Sequence, residues 1–160
     1  MATLPQILEE DVQVLETVLG ELLTHTDATT ALIIDKGGFL ITHLGDSRQF
    51  DLTTIAALAS GAYLANQTIA NLVHEENFDS VYQQGEKFSM FVMNVDRFCL
   101  LVVIFKAILS VGSVKYFSVR AAARIAAQLQ AAHERDPSGG MDLSVLNISD
   151  SAELFRKKPA

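Results

Sequence analysis

Thr30-Ala31-Leu32-Ile33-Ile34-Asp35-Lys36-Gly37-Gly38-Phe39-Leu40-Ile41-Thr42-His43-Leu44 is the stretch that decides the fold. Two β-prone runs, Thr30 to Ile34 and Phe39 to Leu44, flank a turn of Asp35-Lys36-Gly37-Gly38, whose glycines supply the positive φ that a tight reversal needs. The spacing predicts a β-hairpin. A lone hairpin is barely stable in water, so the rest of the sheet must come from elsewhere in the chain.

Downstream, Phe78 to Gln84, Phe88 to Val95 and Phe98 to Phe105 read as three more strands, with turns at Gly85-Glu86 and at Asn94 to Arg97. Alternation in the middle one sets Phe88, Met90 and Val92 on one face and Ser89, Phe91 and Met93 on the other. The last strand is apolar throughout, so it belongs at the centre with both faces covered. Short turns make these strands antiparallel neighbours.

Three helical patterns surround the strands. Pro5 suits a first helical turn, and Ile7, Leu8, Val12, Leu15, Val18, Leu19, Leu22 and Leu23 recur at helical spacing over 5–24. Asp51 offers an N-cap to a second helix over Leu52 to His74. In it, Ile55-Leu58-Ala62-Ala65-Ile69-Leu72 is expected to pack on the sheet, leaving Ala57, Ser60, Gly61, Leu64, Gln67, Thr68 and Asn71 on other faces. Small side chains there allow a second backbone to come close, and Gly61, costing about 1 kcal/mol against Ala in midhelix, suggests such an approach. Ser113 can cap a third helix over Val114 to Glu134, with Val114, Phe117, Ala121, Ile125, Leu129 and Ala132 inward. The expected fold class is α+β, in the order αββαβββα: a five-stranded antiparallel sheet with two helices on one face and the second helix on the other.

Composition narrows the function. The chain has 160 residues, the length of one domain, with 49% hydrophobic residues, an apolar surplus that a partner subunit could cover. A net charge of −7 disfavours nucleic acid, since nothing in it attracts phosphate. The eight-residue run Phe98 to Phe105 is far below the roughly 18 residues of a membrane span. Cys99 lies within that run and reads as a buried hydrophobe. The first residues lack the pattern of a secretory signal, so a cytoplasmic protein with no membrane insertion is expected.

Motifs of chemistry are missing where they would be needed. Gly37-Gly38 precedes a strand and lacks the Lys-Ser/Thr of a phosphate loop. His25, His43, His74 and His133 are scattered, without metal-ligand spacing, and no nucleophile sits beside a base in a known pattern. No catalytic residue, cofactor or metal is therefore expected, and the chain reads as a binding module.

The order and spacing of the pieces resemble the Roadblock/dynein light chain family, and within it the MglB-type gliding-motility regulators of bacteria. The resemblance rests on Ile33-Ile34-Asp35-Lys36-Gly37-Gly38-Phe39-Leu40-Ile41, Ile55-Ala56-Ala57-Leu58-Ala59-Ser60-Gly61, Gln84-Gly85-Glu86-Lys87, the strand Leu100 to Phe105, and Gly112-Ser113-Val114-Lys115 with Arg120-Ala121. It implies a homodimer or heterodimer, here expected to be a homodimer, whose central strands join into one sheet, the two second helices lying side by side as a platform for a Ras-like small GTPase of the MglA type. It also implies that such a regulator accelerates hydrolysis, or scaffolds, without an arginine finger. Arg48, in the loop before the second helix, is the one loop arginine near that platform. The residues expected to meet the GTPase or the second copy are Ala57, Ser60, Gly61, Tyr63, Leu64, Gln67, Thr68 and Asn71, with Tyr63 as an aromatic anchor. Residues 1–136 form the Roadblock-like domain. Residues 137–160, carrying Met141, Leu143, Val145, Leu146, Ile148, Leu154 and Phe155, form an extension that is either docked or disordered. The alternatives are an adaptor of a signalling or polarity complex with no rate effect, and a ligand-sensing domain of the profilin or PAS-like type.

Overall fold

A computed structural model of the chain describes residues 4–135. The elements are α1 (Glu9–Thr26), β1 (Thr30–Asp35), β2 (Leu40–Gly45), α2 (Leu52–Leu72), β3 (Ser80–Gln83), β4 (Phe88–Asn94), β5 (Cys99–Lys106) and α3 (Val111–Arg135). The strands form one antiparallel sheet in the order β2-β1-β5-β4-β3. β5, apolar from Cys99 to Phe105, is the central strand, as its sequence demands.

The pleat sorts the core into two layers. On one face Ala31, Ile33, Phe91, Met93, Leu101, Val103 and Phe105 meet Leu15, Val18, Leu19 and Leu22 of α1 and Val114, Ala121, Ile125 and Leu129 of α3. On the other, Leu32, Ile34, Val92, Leu100, Val102 and Ile104 meet Leu52, Ala56, Ala59 and Tyr63 of α2. The two-helix face and the one-helix face both match the expected arrangement.

Several boundaries differ from expectation. α1 starts at Glu9 and not at Pro5, because the Asp11 carboxylate reaches back to the Leu8 amide at 2.8 Å and sets the helix start there. α3 begins at Val111, so Gly112 and Ser113 lie inside its first turn and Ser113 is not the cap. β3 is shorter than Phe78 to Gln84.

The two edges of the sheet are unlike. In the β1–β2 pairing Ile33 faces Thr42 and Ile34 faces Leu40, so Ile41 is an extra residue and β2 carries a bulge. A bulge bends and twists an edge strand and spoils it as a template for another strand. β3 pairs with β4 residue by residue and has no such irregularity. The extension 137–160, expected to dock or to be disordered, lies outside the described residues.

Candidate protein-docking face on the second helix

α2 is fixed to the sheet by its first turn and its middle. The Asp51 carboxylate caps it, accepting from the Thr54 amide at 3.1 Å and the Thr54 hydroxyl at 2.6 Å. Further along, the helix rests on the β1–β2 turn. The Ser60 hydroxyl donates to the Lys36 carbonyl. Gly38, at φ +100°, comes so near that a Cβ there would lie 3.2 Å from the Ala57 Cα. Lys36 lies with its ammonium 5.7 Å from the centre of the Tyr63 ring, and burial holds its pKa below the usual lysine range. Burial pushes the Asp35 carboxyl up, partly offset by the Gly37 amide that donates to it at 2.6 Å.

This close seat decides which side of α2 faces inward. The buried residues are Leu52, Ala56, Ala59, Ser60, Tyr63 and Ala70. The expected inner stripe is corrected: Leu58, Ala62, Ala65, Ile69 and Leu72 point away from the sheet, and only Ile55 is part-buried against it. Bulk misled the sequence reading. A helix pressed against a turn backbone needs alanines on its inner side, and the larger aliphatics are displaced outward. Leu58 is 68% exposed, Ile69 48% and Leu72 75%, with Val73 also exposed.

Of the eight residues named from the sequence, Ala57, Gly61, Leu64, Thr68 and Asn71 are exposed and Gln67 is half-buried. Ser60 and Tyr63 face inward, Ser60 holding the hairpin turn. Tyr63, 2% exposed, is a core side chain whose hydroxyl accepts from the Asn77 amide at 2.8 Å, and burial raises its pKa. It does not offer an anchor to a partner. A Cβ on Gly61 would meet nothing within 4 Å, so the packing of this subunit gives no reason for a glycine there.

With successive residues about 100° apart on a helix, the outward surface divides into two flanks about Gly61. One carries Leu58, Ala62, Ala65, Ile69 and Leu72, the other Ala57, Leu64, Thr68 and Asn71. The aliphatic flank is not among those eight residues, although its heptad-like spacing is plain in the sequence. It is the flank on the β3 side, because Ala62 and Asn66 border a shallow depression with Val81, Gln83 and Met90. That depression, about 10 Å³, has room for one water at most. Among the described residues no group of three or more His, Cys, Asp or Glu is placed to hold a metal, and no helix is long and apolar enough to cross a membrane. Arg48, 90% exposed, is paired with Asp46 at 3.1 Å.

Comparison with known proteins agrees with this geometry. The chain is similar to the structure of MglB in a tetrameric arrangement, with 29% identity and a TM-score of 0.77 over 82% of this chain and 99% of that one. It is equally similar to the gliding protein MglB of Thermus thermophilus, with 28% identity, a TM-score of 0.76 and the same coverage. Against Myxococcus xanthus MglB the values are 27% and 0.70, covering 73% of this chain and 95% of that one. A search of curated proteins finds no match. The Roadblock/LC7 domain profile matches residues 14–105, from within α1 through β5. With the strand order, the helix placement and the profile in agreement, the chain belongs to the Roadblock/LC7 family.

Proposed function

We propose that the chain is a cytoplasmic homodimeric regulator of a bacterial Ras-like small GTPase of the MglA type, acting by binding and without a catalytic residue of its own. The observation that carries this is the aliphatic stripe Leu58-Ala62-Ala65-Ile69-Leu72 turned away from the sheet. A helix that is apolar on both faces is covered on both in the working protein, and large outward aliphatics mark a partner surface.

The two flanks suit two partners. Stable homodimer interfaces are the more apolar, so the aliphatic flank takes the second copy. That flank lies beside β3, the regular edge, so a second copy added there pairs strand with strand and helix with helix. The resemblance implied a joining of central strands. In this sheet β1, β5 and β4 are each paired on both sides, which leaves the joining to an edge, and β3 is the one without a bulge. The mixed flank, Ala57, Gly61, Leu64, Thr68 and Asn71, then forms with its copy a shelf for the GTPase.

A shelf accelerates hydrolysis by binding the competent arrangement of the GTPase better than the idle one, and the shift cannot exceed that difference in affinity. The test is phosphate release from a GTP-loaded MglA-type GTPase with and without the chain. Acceleration that is lost in Leu64→Arg supports activation. Complex formation without acceleration makes the chain an adaptor, and neither complex nor acceleration overturns the proposal.

A further inference from the structure

On the opposite face of the sheet, α1 and α3 run antiparallel. Asp11 meets Arg135 at 2.6 Å, Glu21 meets Arg124, and His25 stacks on Phe117 at 4.8 Å between ring centres. Between them lies a cleft of about 170 Å³, more than ten times what one water needs. Val18 and Phe117 supply apolar wall, and His25, Arg120 and Arg124 border it with a single carboxylate, Glu21. Glu21 is already engaged by Arg124. Arg120 donates to the Tyr116 hydroxyl at 3.2 Å, and among the described residues no carboxylate pairs with it. In a chain of net charge −7 this is a local excess of positive charge beside the half-buried Phe117 ring.

We propose that this cleft is the docking site of the chain's own C-terminal segment, Met141 to Phe155. Two features of the sequence select that occupant. Residues 137–155 contain Asp142, Asp150 and Glu153 and no Lys or Arg, and they interleave these acids with Leu143, Val145, Leu146 and Ile148; the bases Arg156, Lys157 and Lys158 follow only beyond Phe155 and offset the three acids over 137–160. The acids of such a segment complement a cleft in which Arg120 has no carboxylate partner among the described residues. Reach is sufficient as well. Arg135, the last described residue of α3, lies 11 to 15 residues beyond Arg124 and Arg120, which is about 16–23 Å along the helix. About seven residues suffice to span that distance at full extension, so a chain leaving Arg135 has the length to bring Leu143 onward to the cleft. Asp11 holds Arg135, the last described residue, against α1. Docked there, the segment covers the α1–α3 face and leaves the outer side of α2 free.

The test uses the full chain with Ser149→Cys carrying a nitroxide label. Cys99 is buried and its thiol is pushed well above the usual range, so the engineered cysteine is the one that reacts. Docking predicts that the amide signals of His25, Phe117, Arg120 and Arg124 lose intensity while those of Leu58 and Ile69 keep it. The loss should disappear in Arg120→Glu and shrink in 1 M salt, where the Debye length is about 3 Å. Arg120 is exposed, so its reversal leaves the core intact. Intensity lost on α2, lost nowhere, or lost equally in Arg120→Glu would overturn the proposal. None of these readings depends on a GTPase.

Discussion

The Ser60 hydroxyl on α2 donates a hydrogen bond to the Lys36 carbonyl in the β1–β2 turn, joining residues 24 apart in sequence. This contact orients the helix. With Ser60 held inward, Gly61 and Leu58 must face outward, and the surface that α2 leaves exposed is set by a bond made on the hidden side.

Gly38→Ala should test that seat. The new Cβ would lie 3.2 Å from the Ala57 Cα, on a backbone at φ +100°. Strain at such a position costs about 1–3 kcal/mol, and the helix has little room to retreat. The urea midpoint should fall, and fall further than in Gly37→Ala, where a new Cβ meets mainly the movable Asp35 carboxylate.

Gly61 gives the opposite expectation. Alanine there meets nothing in its own subunit and should strengthen the helix by about 1 kcal/mol. Gly61→Arg should keep native circular dichroism yet lose partner binding, because the long side chain projects from the middle of the outer face. Retained binding by Gly61→Arg would remove that face from the interface.

Asp11 links acid sensitivity to the α1–α3 pair. It is 1% exposed, and its carboxyl is held below the usual range, first by the Arg135 hydrogen bond and then by the Leu8 amide and Gln128. A depressed carboxyl stabilises the fold above its unfolded pKa, near 3.9, and that contribution is lost as pH falls through the lower folded value. Asp11→Ala, which also removes the bond to the Leu8 amide, should cost about 1–2 kcal/mol at pH 7. In urea titrations the gap from the wild type should narrow as pH falls below about 3.9. A gap independent of pH would mean that the charge is not what matters.

Arg48 should prove dispensable for rate. An arginine finger is worth about 10³–10⁵ in phosphoryl transfer, so Arg48→Ala separates the two mechanisms cleanly. Its pairing with Asp46 in the same loop favours a local role, and stimulated GTP hydrolysis should stay near the wild-type value. A loss on the order of 10³ would make it a finger.

Much of this was legible in the sequence because single strong patterns decided it. The two glycines after Asp35-Lys36 marked the hairpin, and the unbroken apolar run through Leu100 to Ile104 marked the central strand. The alternation of Phe88 to Met93 sorted the two core layers correctly. The rotation of α2 was not legible. Both of its faces are apolar, so hydrophobicity has no clear direction, and the choice is made by the approach of Gly38 and the Lys36 carbonyl, residues distant in sequence. Tyr63 misled for the same reason: an aromatic beside small residues resembles a surface anchor until the sheet beneath it is in place. The unlike edges were hidden too, since the bulge at Ile41 is a matter of register against β1.

The central claim is that the outward aliphatics of α2 are covered by a second copy. Sedimentation equilibrium at micromolar concentration, on the wild type and on Leu58→Arg with Ile69→Arg, tests it most directly. The account predicts twice the chain mass for the wild type and a folded single chain for the double variant. A wild type that sediments as a single chain, or a double variant that keeps the dimer mass, would contradict it.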